Sequence, residues 1–171
     1  FLTTKIFPDD MKFEPEKLIA AAKRSLENLD TDYVDLLLLH WPDDRVPLSE
    51  TIPALCELQK QGLTRNIGVS NFNIANIIEA KRYADVPIAV NQVEFHPFIK
   101  QNTLQTFLNN HHILLEAYSP LARGDVFDNE VIKEIADQHG ITPAQVSLAW
   151  ILSDKQRIAI PKTSNPEHLQ G

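Results

Sequence analysis

Apolar residues in this chain fall into two patterns: short unbroken runs, and longer stretches in which they recur every three or four positions. The first pattern is plainest at Val34–Leu39, interrupted only by Asp35. That run is too short and too continuously apolar for an amphipathic helix, and predicts a strand buried on both faces. The second pattern covers 14–29, where Leu18, Ala22, Leu26 and Leu29 share one helical face and Glu14 and Glu16 suit the positive end of the helix. A second helix follows, with Ser49 as its cap, Ile52, Leu55 and Leu58 turned inward, and Gly62 closing it in a left-handed conformation.

The alternation continues with strands at 67–69, 88–93, 113–117 and 158–160, and helices at 74–84, 102–110 and 129–139, the last closed by Gly140. A further helix is capped by Thr142, has Pro143 in its first turn and runs through Val146, Ala149 and Leu152. Strands alternating with helices of this length predict repeated strand–helix–strand units and a parallel sheet. None of the glycines pair at the spacing of a phosphate-binding loop, so an open sheet lacks its usual signature. Polar residues instead close nearly every strand: Lys5, His40, Ser70 with Asn71, Gln92, Tyr118 and Lys162. The expected fold is therefore an α/β, (β/α)8 TIM barrel, incomplete in this chain, with about six of the eight βα units in a single domain over residues 1–171.

Composition removes several classes of function. A formal charge of −7 opposes binding to a phosphate backbone, so no nucleic acid partner is expected. Cys56 stands alone, which excludes an internal disulfide and a paired-thiolate zinc site and makes a reducing, cytoplasmic setting the expectation. No apolar stretch approaches the roughly 20 residues that cross a bilayer, so no membrane partner is expected. The histidines show no metal-ligand spacing: His111 and His112 sit in a polar turn, His96 with Pro97 shapes a loop, and His139 lies near a helix end. No metal is assigned, and a monomer acting on a small molecule is the expected state. The chain opens on Phe1 and Leu2 without an initiating methionine or targeting signature, which predicts an interior segment of a longer polypeptide.

The strand ends carry the chemistry. An ammonium at Lys5 can depress the pKa of a neighbouring phenol, and His40 places an imidazole at the rim of an apolar strand beside the flat wall of Trp41. Ser70, Asn71 and Gln92 offer neutral donors and acceptors that match a carboxamide, although Asn71 and Asn73 would equally serve as caps for the helix that follows. The Tyr118 ring can stack on a planar heterocycle or simply pack in the core. Pro161, Lys162, Thr163, Ser164 and Asn165 lead into Pro166, a favoured first residue of a helix; a lysine, hydroxyls and a helix start together form an anion site.

In this order, these residues resemble the aldo-keto reductases, and especially the bacterial branch that includes the diketogluconate reductases. The segments that carry the resemblance are LTTK at 2–5, DYVDLLLLHWP at 32–42, GLTRNIGVSNF at 62–72, Asn91 and Gln92 through His96 and Pro97, AYSPL at 117–121 and IPKT at 160–163. It implies reduction of aldehydes and ketones to alcohols, with NADPH as cofactor. By position, Lys5 would tune the catalytic acid, His40 would orient the substrate carbonyl and Trp41 would wall the substrate pocket. Ser70, Asn71 and Gln92 would hold the nicotinamide carboxamide and Tyr118 would stack on its ring. Ser119 and Leu121 would lie along the pyrophosphate, and Lys162, Thr163 and Ser164 would hold the adenosine 2′-phosphate.

The family's catalytic aspartate and its proton-donating tyrosine match no position here, so the segment by itself is expected to be inactive. His168 stands where many members carry an arginine that clamps the 2′-phosphate, and Gly171 where many carry an acidic residue near the adenine. Histidine lacks arginine's planar fork and permanent charge, which implies a weakened preference for NADPH over NADH. Two other readings stay open on the residues alone: a Schiff-base lyase or aldolase in which Lys5 attacks a carbonyl, and a non-catalytic nicotinamide-nucleotide-binding protein.

Overall fold

The computed structural model describes residues 1–8, 14–99 and 101–169; Gly171 lies outside the described residues. Strands and helices alternate as β1 (Thr3–Ile6), α1 (Pro15–Leu29), β2 (Val34–Leu39), α2 (Leu48–Lys60), β3 (Thr64–Ser70), α3 (Ile74–Tyr83), β4 (Ile88–Glu94), α4 (Asn102–Asn110), β5 (Leu114–Tyr118), α5 (Glu130–His139), α6 (Pro143–Leu152) and β6 (Arg157–Ala159). The strands form one sheet in chain order, β1-β2-β3-β4-β5-β6. Contacts group the chain into two compact units, 1–91 and 92–171.

In the first unit β1, β2 and β3 pair in parallel, and the register sets Lys5, Leu38 and Gly68 side by side across the three strands. Leu36 to Leu39 are at most 2% exposed, as a strand covered on both faces requires. Gly68 is demanded by close approach: a Cβ there would lie 2.5 Å from Leu38 Cδ2 and 2.7 Å from the Val90 carbonyl oxygen. Leu18, Ala22 and Leu26 of α1 are buried, whereas Leu29, expected on the same face, is 42% exposed because the helix ends there and Asp30 turns left-handed at φ 50°. Ile52, Leu55 and Leu58 of α2 are fully buried. Its N-cap is Pro47 rather than Ser49, which lies inside the first turn; the fixed φ of proline defines the start without any side-chain bond. Gly62, just past the helix, is left-handed at φ 75° as expected.

In the second unit β5 and β6 are parallel, with Glu116 beside Ile158. Asn129 caps α5 and Gly140 ends it at φ 64°, while Thr142 and Gln145 form a capping box at the start of α6. The inward residues of α6 are Ser147 and Ile151, with Leu152 54% exposed. The Ser147 hydroxyl donates to the Pro120 carbonyl at 2.7 Å, and Val146 packs against the cluster of Ala122, Val126 and Ile132, so a buried polar contact and apolar packing together hold this helix. Between β5 and α5 lies a 3₁₀ segment, Ala122–Phe127, which the apolar pattern did not announce. Among the described residues no helix is long and apolar enough to cross a membrane.

Candidate active site

The first unit supplies one cluster, built where β1, β2 and β3 end. Lys5 is the third residue of β1, which continues to Ile6, so it lies inside the strand rather than at its tip. His40 directly follows β2; its N–H donates to the Ile6 carbonyl at 2.9 Å and its carbonyl accepts from Asn71 Nδ2 at 3.0 Å. The imidazole meets the edge of the Phe7 ring with centroids 5.3 Å apart. Burial, and then the Lys5 ammonium, hold the His40 pKa below its ordinary value, so the ring favours its neutral form. Trp41 follows at the surface, 43% exposed.

Ser70 ends β3 fully buried, and Asn71 turns left-handed at φ 61°, which lets its Nδ2 reach both Ser70 Oγ at 3.2 Å and His40. Short polar side chains tolerate that region of backbone space where branched ones do not. Asn73 accepts from the N–H of Asn76 at 2.9 Å and starts α3, so the capping reading holds for Asn73 while Asn71 is committed to the strand ends. Asn91 of β4 donates to the Phe72 carbonyl at 2.9 Å and braces the same turn from below; sequence reasoning gave it no role, though an amide within an apolar strand was the available sign.

The second unit supplies the other residues. Gln92 is 2% exposed and lies within β4, which runs on to Glu94, so it does not close its strand as expected. Its Nε2 donates to Glu116 Oε2 at 2.5 Å. Tyr118 ends β5, and its phenol pKa is raised by burial and then by the Glu94 carboxylate, with the Arg123 guanidinium opposing, so the ring stays protonated and apolar-faced. Ser119 and Leu121 lead into a tight segment in which Ser119, Ala122, Arg123 and Gly124 all have positive φ, and the Ser119 carbonyl accepts from the Ala122 N–H at 2.9 Å. His96 accepts from the Phe98 N–H through Nδ1 at 3.3 Å, a loop-shaping role.

Lys162 lies three residues beyond the end of β6 at Ala159. Thr163 Oγ1 accepts from the Asn165 N–H at 3.0 Å and meets His168 Nδ1 at 3.1 Å, while Lys162, Ser164 and His168 are exposed. The helix expected from Pro166 is a short 3₁₀ turn, Pro166–Leu169. Among the described residues no three His, Cys, Asp or Glu side chains are grouped to hold a metal ion.

The model of the aldo/keto reductase family matches residues 1–171, the whole chain. The chain belongs to that family. A methylglyoxal reductase, DkgB, of Escherichia coli O157:H7 is 40% identical over all of this chain and 64% of its own length. Glyoxal reductase of Bacillus subtilis is 42% identical over 95% of this chain and 58% of its own length. An aldo/keto reductase from Klebsiella pneumoniae, solved with NADP and acetate, superposes with a TM-score of 0.91 at 34% identity, covering 99% of this chain and 62% of that one. The chain thus spans about three fifths of the length of the relatives it matches. Its alternating fold is that of the (β/α)8 barrels of the aldo/keto reductases, of which it carries six strands in an unclosed parallel sheet.

Proposed function

We propose that the full-length polypeptide reduces aldehydes and ketones to alcohols with NADPH, and that small dicarbonyls of the methylglyoxal and glyoxal kind are among its substrates. The names of the relatives support the substrate class, and the solved relative with NADP supports the cofactor. The observation that carries the reading is the His40 imidazole, whose pKa is lowered first by burial and then by the charge of Lys5 on the neighbouring strand, so that its neutral form is favoured. When bound, NADPH would supply a hydride to the carbonyl carbon.

A neutral imidazole retains one N–H, with which His40 would hold the substrate carbonyl oxygen. The positive charge of Lys5 would lower the pKa of a proton-donating phenol. None of this chain's tyrosines suits that donor role. Tyr33 precedes β2 and its hydroxyl receives a bond from Arg65 at 2.7 Å, Tyr83 ends α3, and Tyr118 is reserved for ring stacking. The donor would come from elsewhere in the full-length polypeptide.

The donor set fits the cofactor. The Ser70 hydroxyl and the Asn71 and Gln92 amides each donate and accept, as a carboxamide ligand must, and Tyr118 offers a protonated aromatic face. Ser119 and Leu121 would lie along the pyrophosphate, and Lys162, Thr163, Ser164 and His168 would meet the 2′-phosphate, with NADH accepted less selectively because His168 is not arginine. Trp41 would wall the substrate pocket. The acidic charge and single cysteine favour a cytoplasmic monomer working on small molecules.

The purified full-length protein should consume NADPH when methylglyoxal is added, read as loss of the cofactor's near-ultraviolet absorbance. Lys5→Met should lower kcat/KM by about a hundredfold or more while leaving NADPH affinity nearly intact. No turnover with any small aldehyde would defeat the reading, and trapping of substrate on Lys5 by borohydride would favour Schiff-base chemistry instead.

A further inference from the structure

Glu116 is a charged residue in an otherwise apolar stretch. β5 reads LLEAY, and Leu115, Glu116 and Ala117 are all buried, Glu116 to 5% exposure. A leucine at 116 would complete the pattern without the cost of taking a carboxylate out of water, so the charge calls for a reason. Glu116 accepts from the amide of Gln92, with Nε2 2.5 Å from Oε2. A carboxylate accepts and does not donate, so the NH2 end of Gln92 is the end that faces it, and the carbonyl Oε1 is turned to another side. A buried glutamine amide facing a neutral hydroxyl could sit either way round; facing a carboxylate, it has one orientation, held by a charge-assisted bond.

We propose that Glu116 is a positioning residue that fixes the amide of Gln92 so that its carbonyl oxygen accepts from the NH2 of the nicotinamide carboxamide. The inference rests on the role proposed above for Gln92. A flipped Gln92 would set NH2 against NH2, weakening the grip on the nicotinamide end of the cofactor alone. Glu116 therefore acts through Gln92, and it has no part in holding the adenosine end.

The test uses the full-length enzyme and two probes: NADPH, and 2′-phospho-ADP-ribose, which keeps the phosphates and adenosine but has no nicotinamide. Glu116→Leu should weaken NADPH about tenfold and leave 2′-phospho-ADP-ribose binding unchanged. Glu116→Gln should restore only part of the NADPH affinity, because its neutral amide can accept from the Gln92 NH2 but can equally face a flipped Gln92 with its own NH2. In a Gln92→Ala background, Glu116→Leu should cause no further loss. Should the leucine variant fail to fold, Glu116→Thr, which suits a strand and removes the carboxylate, takes its place. Equal weakening of both probes, or a full additional loss in the Gln92→Ala background, would overturn the inference and leave Glu116 a packing residue. Failure of the unsubstituted enzyme to bind NADPH would instead bring down the reductase reading, and this inference with it.

Discussion

Two strand-to-helix junctions that carry proposed cofactor ligands are built in opposite ways. At the end of β3, Ser70 is fully buried, Asn71 reaches back to His40 across a neighbouring strand, and Gly68 is pressed between Leu38 and Val90. After β6, a strand of three half-buried residues, the segment from Lys162 to His168 is largely exposed, and Thr163, Asn165, Glu167 and His168 bond to partners within five positions of themselves. The first junction takes its shape from tertiary packing, the second from its own local sequence. In physical terms, the junction proposed for the carboxamide is tied into the surrounding sheet, while the one proposed for the phosphate can be changed without touching the core.

The sharpest way to break this contrast is to place a single alanine on each side of it. Gly68→Ala places a Cβ within 2.7 Å of the Val90 carbonyl oxygen, a backbone atom that cannot swing away. The expected loss is about 1–3 kcal/mol or more of stability, read as a lower urea midpoint. At the other junction, Ser164→Ala, at an exposed position, should move the midpoint by less than about 0.5 kcal/mol. Equal effects at the two sites would show that the second junction is as tightly built in as the first.

A second substitution sharpens the contrast from the side of recognition. His168 is exposed and touches Thr163 Oγ1 at 3.1 Å, so an arginine there meets no packed neighbour and gains a permanent charge and a planar fork. His168→Arg in the full-length enzyme should raise the ratio of kcat/KM for NADPH over NADH by about tenfold, the scale of one added charged hydrogen bond. Thermal stability should stay unchanged. An unchanged cofactor ratio would remove His168 from the phosphate site.

The elements that were legible in the sequence are those whose signal is local. Val34–Leu39 announced itself as a buried strand, and Thr142 with Pro143, Asn129 and Gly140 marked helix ends by chemistry that needs no distant partner. What was not legible depends on contacts far along the chain. Gln92 was read as a strand end because an amide breaks an apolar run, yet β4 passes through it, since Glu116, 24 residues later, satisfies that amide inside the sheet. The same pairing hid Glu116, which in the sequence reads only as part of the strand at 113–117, with no place in a site. Residues 119–124 escaped because the left-handed backbone falls on Ala122 and Arg123 as well as on Ser119 and Gly124, and alanine and arginine carry no turn signature. Of the candidate site, the residue types and order were readable; the bonds that orient them were not.

The smallest effect tests whether Lys5 and His40 share one electrostatic environment at the packed junction. In the unfolded chain His40 titrates near its ordinary value of 6.5, and in the fold burial and the Lys5 ammonium hold it lower. Between those two values the unfolded state binds more protons than the native state, so stability rises with pH across that window. The contribution is fully present above about 6.5 and is lost as pH falls through the lower, native pKa. Nuclear magnetic resonance titration of the His40 imidazole in the cofactor-free protein should therefore give a midpoint below the ordinary value. In Lys5→Met it should move upward but remain depressed, because burial is the larger cause and survives the substitution. A midpoint unmoved by Lys5→Met would mean that the ammonium does not act on the imidazole, and the polar pair on which the catalytic proposal stands would reduce to two neighbouring strands with unrelated ends.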